Sequence, residues 1–376
     1  MSKTHSSFRV AFPIAAVWFG ALVGPSMVSG AFAVVYFSPY GVWGLVLPLI
    51  SMGVASVIVT CGLMGVKIWH IDNYSDYGRK LYGCYAFILS PLLEVYLILA
   101  MIVGGSSVIV MGGIFFQDLL GTPLIYGQLL MAIISSVLVL WGAELVRNTS
   151  SFMTVLLLFG FAVMIVVSCS YGFDSLKCKL ANWYVPEGKN FWMGVGPAVA
   201  LGLSNACNAL TLSSVGQKIT TKKDVVLTGI LAFFLNTVMF VGCVLFLLPY
   251  IPEVLQEAVP NLFVIQHYLV DVVPWLPTVY HIVMLFGLAS SGAPQLNAVV
   301  YRADQLYPRK GIWKKSIYRN LCTAVIYMSI CIVISFLGLR TIIGAGYSML
   351  GYLAIPLIVF PLCILLPIRL YKGKKS

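Results

Sequence analysis

The chain has 376 residues, 60% of them hydrophobic and only 9% charged, with a net charge of +11. A soluble domain carries roughly 25% charged residues, so a water-facing surface cannot be assembled from this composition, and most of the surface must face lipid. The positive balance does not indicate a nucleic-acid partner, because the basic residues sit in short runs between long apolar segments, as cytoplasmic loops do.

A membrane-crossing helix needs about 20 apolar residues. In chain order, ten segments meet this length: 10–37, 41–67, 82–114, 122–145, 150–172, 190–216, 224–250, 273–303, 316–338 and 342–368. The connections between them are short; the longest are 68–81, 173–189, 251–272 and 304–315. Residues 28–33 (VSGAFA) resemble a signal-peptidase site, but the run from Val10 to Phe37 exceeds the apolar core of a signal peptide and reads as a retained first helix. The nine cysteines lie mostly inside apolar segments and show no metal-ligand spacing. Small buried apolar residues are the reading they support, although Cys169 and Cys178 are placed where a bridge at the outer face is conceivable.

Counting Lys and Arg sets the orientation. With the N-terminus inside, only Lys177, Lys179, Lys189 and Arg340 fall outside, leaving 23 − 4 = 19 on the cytoplasmic side. Both termini are then cytoplasmic, in a multi-pass protein of the plasma or inner membrane. Gaining or losing a helix midway would scramble this alternation.

Two Gly-Pro dipeptides, Gly24-Pro25 and Gly196-Pro197, occur in the same local pattern, V-G-P-x-x-x-x-G, offset by 196 − 24 = 172 residues. They fall in the first and sixth helices. The pattern divides the chain into 1–172 and 173–376, two repeats of five helices in one membrane domain. Five is odd, so the second repeat enters from the opposite side and the fold is an inverted repeat. In such folds the first helix of each repeat is broken near the midplane, where freed backbone groups hold solute and ions. Gly and Pro also serve ordinary helix packing in membranes.

The polar residues near these points are the candidate site. Helix 1 supplies Gly20, Val23, Gly24, Pro25, Ser26, Ser29 and Gly30. Pro25 removes one donor and frees a carbonyl a turn earlier. Helix 6 supplies Gly202, Ser204 and Asn205, whose amide suits either a solute carboxylate or amine, or a neighbouring helix. Helix 8 carries Ser290 and Ser291, followed by Pro294, Gln295 and Asn297. Paired hydroxyls beside opened carbonyls are hard oxygen ligands that suit Na⁺, and serines also bond back to their own helix. Glu94 lies about 12 residues, or about 18 Å, past the start of helix 3. An intramembrane acid is a functional candidate, here for carrying a proton, with no basic residue deep in a span to pair with it. The other reading of Glu94 is a neutral acid bonded to a neighbouring helix. His281 reads as a helix-packing histidine.

Helix 1 and its exit, Gly24-Pro25-Ser26-Met27-Val28-Ser29-Gly30 followed by Tyr36-Phe37 and Tyr40-Gly41, resemble the YkvI-type membrane proteins. There this stretch reads approximately G-A-G-F-A-S-G-Q-E, then a paired aromatic and Y-G. The likeness extends through the Asn205 region and from Gly346-Tyr347 to Gly351. It implies the amino acid–polyamine–cation transporter superfamily and the LeuT fold: all-α, about ten helices as a 5+5 inverted repeat, with helices 1 and 6 broken. More distantly, Gly20-x-x-x-Gly24 and Ser290-Ser291 resemble the glycine spacing and hydroxyl pair of sodium-coupled relatives. That would set the Gly20 and Val23 carbonyls opposite the two serines. Ala31 and Phe32 stand where the family commonly has Gln-Glu, which implies a different specificity if that pair touches the transported solute or ion.

The expected function is a secondary active transporter of a small organic solute, an amino acid or related compound, coupled to Na⁺ or H⁺. The alternative is a transporter-like solute receptor that acts through a partner without turnover. Nothing meets the requirements of a catalytic site, and no GxxxxGK[ST] loop marks an ATP-driven pump. No cofactor is expected beyond a Na⁺ ion, and the partners are the solute and the bilayer. The oligomeric state is not encoded legibly.

Overall fold

The computed structural model describes residues 7–22, 24–69, 74–141, 143–212, 219–306 and 316–368. Every regular element among them is helical. Helix α1 (Ser7–Leu22) is followed by two short pieces, α2 (Pro25–Val28) and α3 (Ala31–Tyr36). A 3-10 stretch leads into α4 (Leu47–Trp69), and the amphipathic α5 (Tyr74–Tyr82) precedes the 35-residue α6 (Ala86–Leu120). Helices α7 (Leu124–Trp141) and α8 (Ala143–Tyr171) follow, and α8 turns by 78° into α9 (Phe173–Ala181). Next come α10 (Phe191–Ser204), α11 (Asn208–Thr211) and α12 (Lys222–Leu247). The set is completed by the short α13 (Pro260–Val264), α14 (Leu276–Leu306), α15 (Ser316–Ser335) and the last helix, α16 (Leu339–Ile368), which contains wide π turns.

Six of these helices are long and apolar enough to cross a membrane, or seven if the bent α8–α9 pair counts as one span. Two shorter apolar helices, Ser7–Leu22 and Leu124–Val139, stand beside them. Among the described residues, six or seven spans and two shorter apolar helices stand where ten segments were expected, and 10–37 and 190–216 are divided into shorter helical pieces. The lipid-facing surface carries side chains that water would reject, among them Trp192 (79% exposed) and Phe87 (76% exposed).

Local signals set several boundaries. Asn190 accepts the Met193 amide at 2.9 Å and starts α10. Thr221 and Asp224 form a reciprocal capping box that starts α12. Lys179 donates to the carbonyls of Leu248 (3.2 Å), Pro249 (2.8 Å) and Ile251 (2.7 Å), tying α9 to the exit of α12. Cys169 and Cys178 are both free thiols, so the conceivable bridge between them is not formed.

The helices pack in two groups. In one, α12 packs against α1 and α4, and α4 packs in turn against α10. Helices α6, α7, α14 and α15 form a second mutually contacting set, and α8 touches α12 on one side and α14 on the other. The broken segment α2 lies where the groups meet, against α6 and α14.

Candidate functional site

The break in helix 1 is built from its own serines and glycine. The Ser29 hydroxyl donates to the Ser26 carbonyl (2.9 Å) and accepts the Ala31 amide (3.2 Å), so it holds the turn that leads into α3. Gly30 has φ 81°, a left-handed conformation that side chains rarely adopt. A Cβ there would also run into the Asn261 side chain. Asn261, in α13, donates its side-chain amide to the Val28 carbonyl (2.7 Å) and its backbone amide to the Ser29 carbonyl (2.9 Å). The orphaned carbonyls of the break are thus satisfied by a segment far away in sequence. Val23 lies outside the described residues, as does the side chain of Pro25.

Gly24 faces helix α14: a Cβ built on it would touch the Ser291 hydroxyl. Ser291 is buried, and its hydroxyl has no hydrogen-bond partner. Ser290 instead donates to the Gly287 carbonyl at 3.1 Å. The expected hydroxyl pair therefore splits into one serine bonded back to its helix and one aimed at the break. Nearby, the hydroxyl of Ser135 on α7 is buried without a partner and borders Gly292. The Gln295 carbonyl oxygen is likewise unpartnered, and that side chain borders Gly104 on α6. Buried polar atoms normally find partners, so several orphans in one region mark a place where a polar guest would be stabilised. Gly20 is a half-buried member of α1, on the same helix as the break.

Helix 6 differs from expectation. Helix α10 passes through Gly196-Pro197 without interruption, and the irregular turn comes later, at Asn205–Cys207. One proline removes one donor, and the neighbouring bonds keep the helix intact. Ser204 donates to Leu201 (2.7 Å), Asn205 also donates to Leu201 (3.0 Å), and Asn208 donates to the Asn205 oxygen (3.2 Å). Those polar groups are spent on their own helix. Gly202 allows close approach of α10 to the Ser51 carbonyl on α4.

The departure at Ala31-Phe32 has a visible consequence. Phe32 sits edge-on to Tyr347 at 5.0 Å and to Phe240 at 6.2 Å, while the Tyr36 hydroxyl donates to the Ile343 carbonyl at 2.8 Å. An aromatic wall linking α3, α12 and α16 occupies this position.

Glu94 has a cationic partner that sequence reading did not supply: Arg302 of α14 donates to it at 2.5 Å, both side chains being 26% exposed. Helix α6 would be about 52 Å long at 1.5 Å per residue, well beyond a hydrocarbon core of about 30 Å. Glu94 is only eight residues from its start (94 − 86), so the surplus length lets it lie close to the interface. His281 is satisfied, as expected of a packing histidine, through the Pro277 carbonyl and Asp118. Ser135, Asn261, Asp118 and Gln266 carried no recognisable sequence signal: each is a single polar residue without a motif.

This arrangement defines an all-helical membrane fold with a broken first helix between two helix groups, the LeuT fold. Solved structures of that class resemble it over most of its length. They include a Na⁺-coupled sialic acid symporter in a substrate-bound outward-open state (TM-score 0.65, 11% identity, 96% of this chain and 82% of that chain). A manganese transporter from Eremococcus coleocola gives a TM-score of 0.64 at 14% identity, covering 96% and 80%. MhsT in complex with L-phenylalanine gives 0.65 at 15% identity, covering 92% and 88%. No family model and no curated protein matches the sequence.

Proposed function

We propose that the chain is a secondary active transporter that moves a small organic solute, an amino acid or related compound, with a Na⁺ or H⁺ gradient. The observation that carries this reading is the meeting of the helix 1 break with the unpartnered Ser291 hydroxyl between two helix groups. Solved structures of the same fold include transporters for sialic acid and manganese and one complex with L-phenylalanine, and this supports transport as the activity. Gly20, Val23, Ser290 and Ser291 form the ion end of the site, with Ser291 contributing the side-chain oxygen. Gly24, Pro25, Ser26, Ser29 and Gly30 shape the solute end together with Gly202, Ser204 and Asn205. The last three act through backbone placement, since their side chains serve packing or their own helix. Glu94, paired with Arg302, joins α6 to α14, which weakens its claim to carry the proton.

The two five-helix halves, 1–172 and 173–376, rock one helix group against the other around this site. The charge bias supports cytoplasmic termini in the plasma or inner membrane and puts α9 and α13 outside. Thermal-shift screening of amino acids and related solutes, with and without Na⁺, tests the binding step: a solute whose stabilisation grows with Na⁺ is expected. Equal stabilisation in Na⁺ and choline would remove Na⁺ from the proposal.

A further inference from the structure

Asp118, three residues before Gly121, the glycine that ends α6, meets His281 of α14 with the imidazole Nε2 at 2.7 Å from Oδ2. The same imidazole places Nδ1 at 2.7 Å from the Pro277 carbonyl oxygen. A carbonyl oxygen only accepts, and an ionised carboxylate only accepts. A neutral imidazole has one N–H and cannot donate to both. Both short contacts are satisfied only when the pair holds one additional proton, as imidazolium facing carboxylate or as neutral imidazole facing the carboxylic acid. The pair is within reach of solvent, with side chains 21% and 22% exposed. It borders a cavity of about 10 Å³, on the scale of one water molecule.

The second oxygen of Asp118 accepts the Gln266 side-chain amide at 2.7 Å. Gln266 follows α13 directly, and α13 is the segment that Asn261 pins onto the Val28 and Ser29 carbonyls of the helix 1 break. One stretch, 260–269, is therefore fastened at two points: to the break by Asn261 and to the protonated pair by Gln266.

We propose that Asp118 and His281 form a proton-binding site that governs the docking of segment 260–269 over the helix 1 break. Loss of the proton leaves two lone pairs facing each other at one of the imidazole contacts. Where the one remaining N–H stays on the Pro277 carbonyl, the bare Nε2 turns from Asp118, and the carboxylate that anchors Gln266 loses its fixed position. Docking is tight at mildly acidic pH and loosens as the medium becomes alkaline. The inference rests on the transporter reading only in naming the docked segment as the external cover of the solute path. Other titratable groups on the adjoining elements are Tyr280 on α14, whose hydroxyl is buried, and His267, Tyr268 and Asp271 on and beyond the covering segment. His267 is turned to the Phe263 carbonyl at 3.1 Å. Among the described residues no hydrogen bond or ion pair links these four to Asp118 or His281.

Hydrogen exchange measured by mass spectrometry on the full chain in lipid nanodiscs tests the proposal, reading peptides that cover 260–269 between about pH 5 and about pH 8.5, the range in which imidazoles titrate. Variants are compared with the parent at each pH, which cancels the intrinsic pH dependence of exchange. Gln266 is exposed, so Gln266→Ala leaves the fold intact and cuts only the link. The parent is expected to be about tenfold more protected than Gln266→Ala at acidic pH, the effect of one charge-assisted hydrogen bond, and equal to it at alkaline pH. His281→Ala is expected to match Gln266→Ala throughout. A parent-to-variant ratio that does not change with pH, or a His281→Ala chain that keeps the parent profile, overturns the proposal. The readout needs no turnover, so its failure leaves transport untouched, and a chain that does not transport can still show it.

Discussion

Replacing Gly30 by alanine tests the account of the helix 1 break. Gly30 has φ 81°, and an L-residue held in that region costs about 1–2 kcal/mol relative to glycine. The new Cβ also displaces Asn261, which costs its two hydrogen bonds to Val28 and Ser29, about 1 kcal/mol each. The sum, about 3–4 kcal/mol, shifts the docked–undocked balance of segment 260–269 by roughly 100- to 700-fold, at 1.4 kcal/mol per decade. Cys243 reports the change: it is 0% exposed, and its thiol lies 3.7 Å from the Met27 carbonyl at the break. Labelling by a membrane-impermeant thiol reagent, read by peptide mapping, is expected to accelerate at Cys243 in Gly30→Ala. Gly30→Asn should fall between parent and alanine variant, because asparagine tolerates the left-handed backbone but not the steric conflict. A Cys243 labelling rate within about twofold of the parent in Gly30→Ala would refute the reasoning.

Ser291→Ala removes a buried hydroxyl that has no partner. In choline the variant should match or exceed parent stability by up to about 1 kcal/mol, while Na⁺-dependent stabilisation disappears; a thermal-shift series in Na⁺ against choline measures both. Glu94→Gln and Arg302→Met break one partly exposed ion pair and should each cost about 1 kcal/mol, with a non-additive double variant, whereas solute uptake survives in Glu94→Gln. Abolished proton-driven uptake with unchanged stability would restore Glu94 as a proton carrier. Lys179→Met deletes three charge-assisted bonds to carbonyls after α12 and should lower stability by about 2 kcal/mol, measured as the thermal midpoint in detergent.

The helical segments were legible because lipid imposes length and apolarity on each one. The break in helix 1 was legible as well, since Gly24, Pro25 and Gly30 cluster within one helix. The matching Gly196-Pro197 pointed to the wrong turn of helix 6. A single proline weakens a helix without deciding where it yields, and the irregular turn sits at Asn205–Cys207, where short polar side chains bond to the preceding turn. Long-range partners were not legible at all. Arg302 reaches Glu94 across 208 positions, and Asn261 reaches Val28 across 233. These contacts depend on how helices are arranged around one another, and a local pattern carries no record of that. Ser291 was legible as one of a pair of hydroxyls, but only the packing of α14 against the break shows which of the two remains unbonded.

Solute uptake into proteoliposomes, using a solute found by thermal shift, tests the central claim most directly. The account predicts saturable uptake that collapses when the Na⁺ and H⁺ gradients are dissipated and that shows counterflow from preloaded vesicles. Saturable binding without counterflow, or uptake indifferent to both gradients, would contradict it.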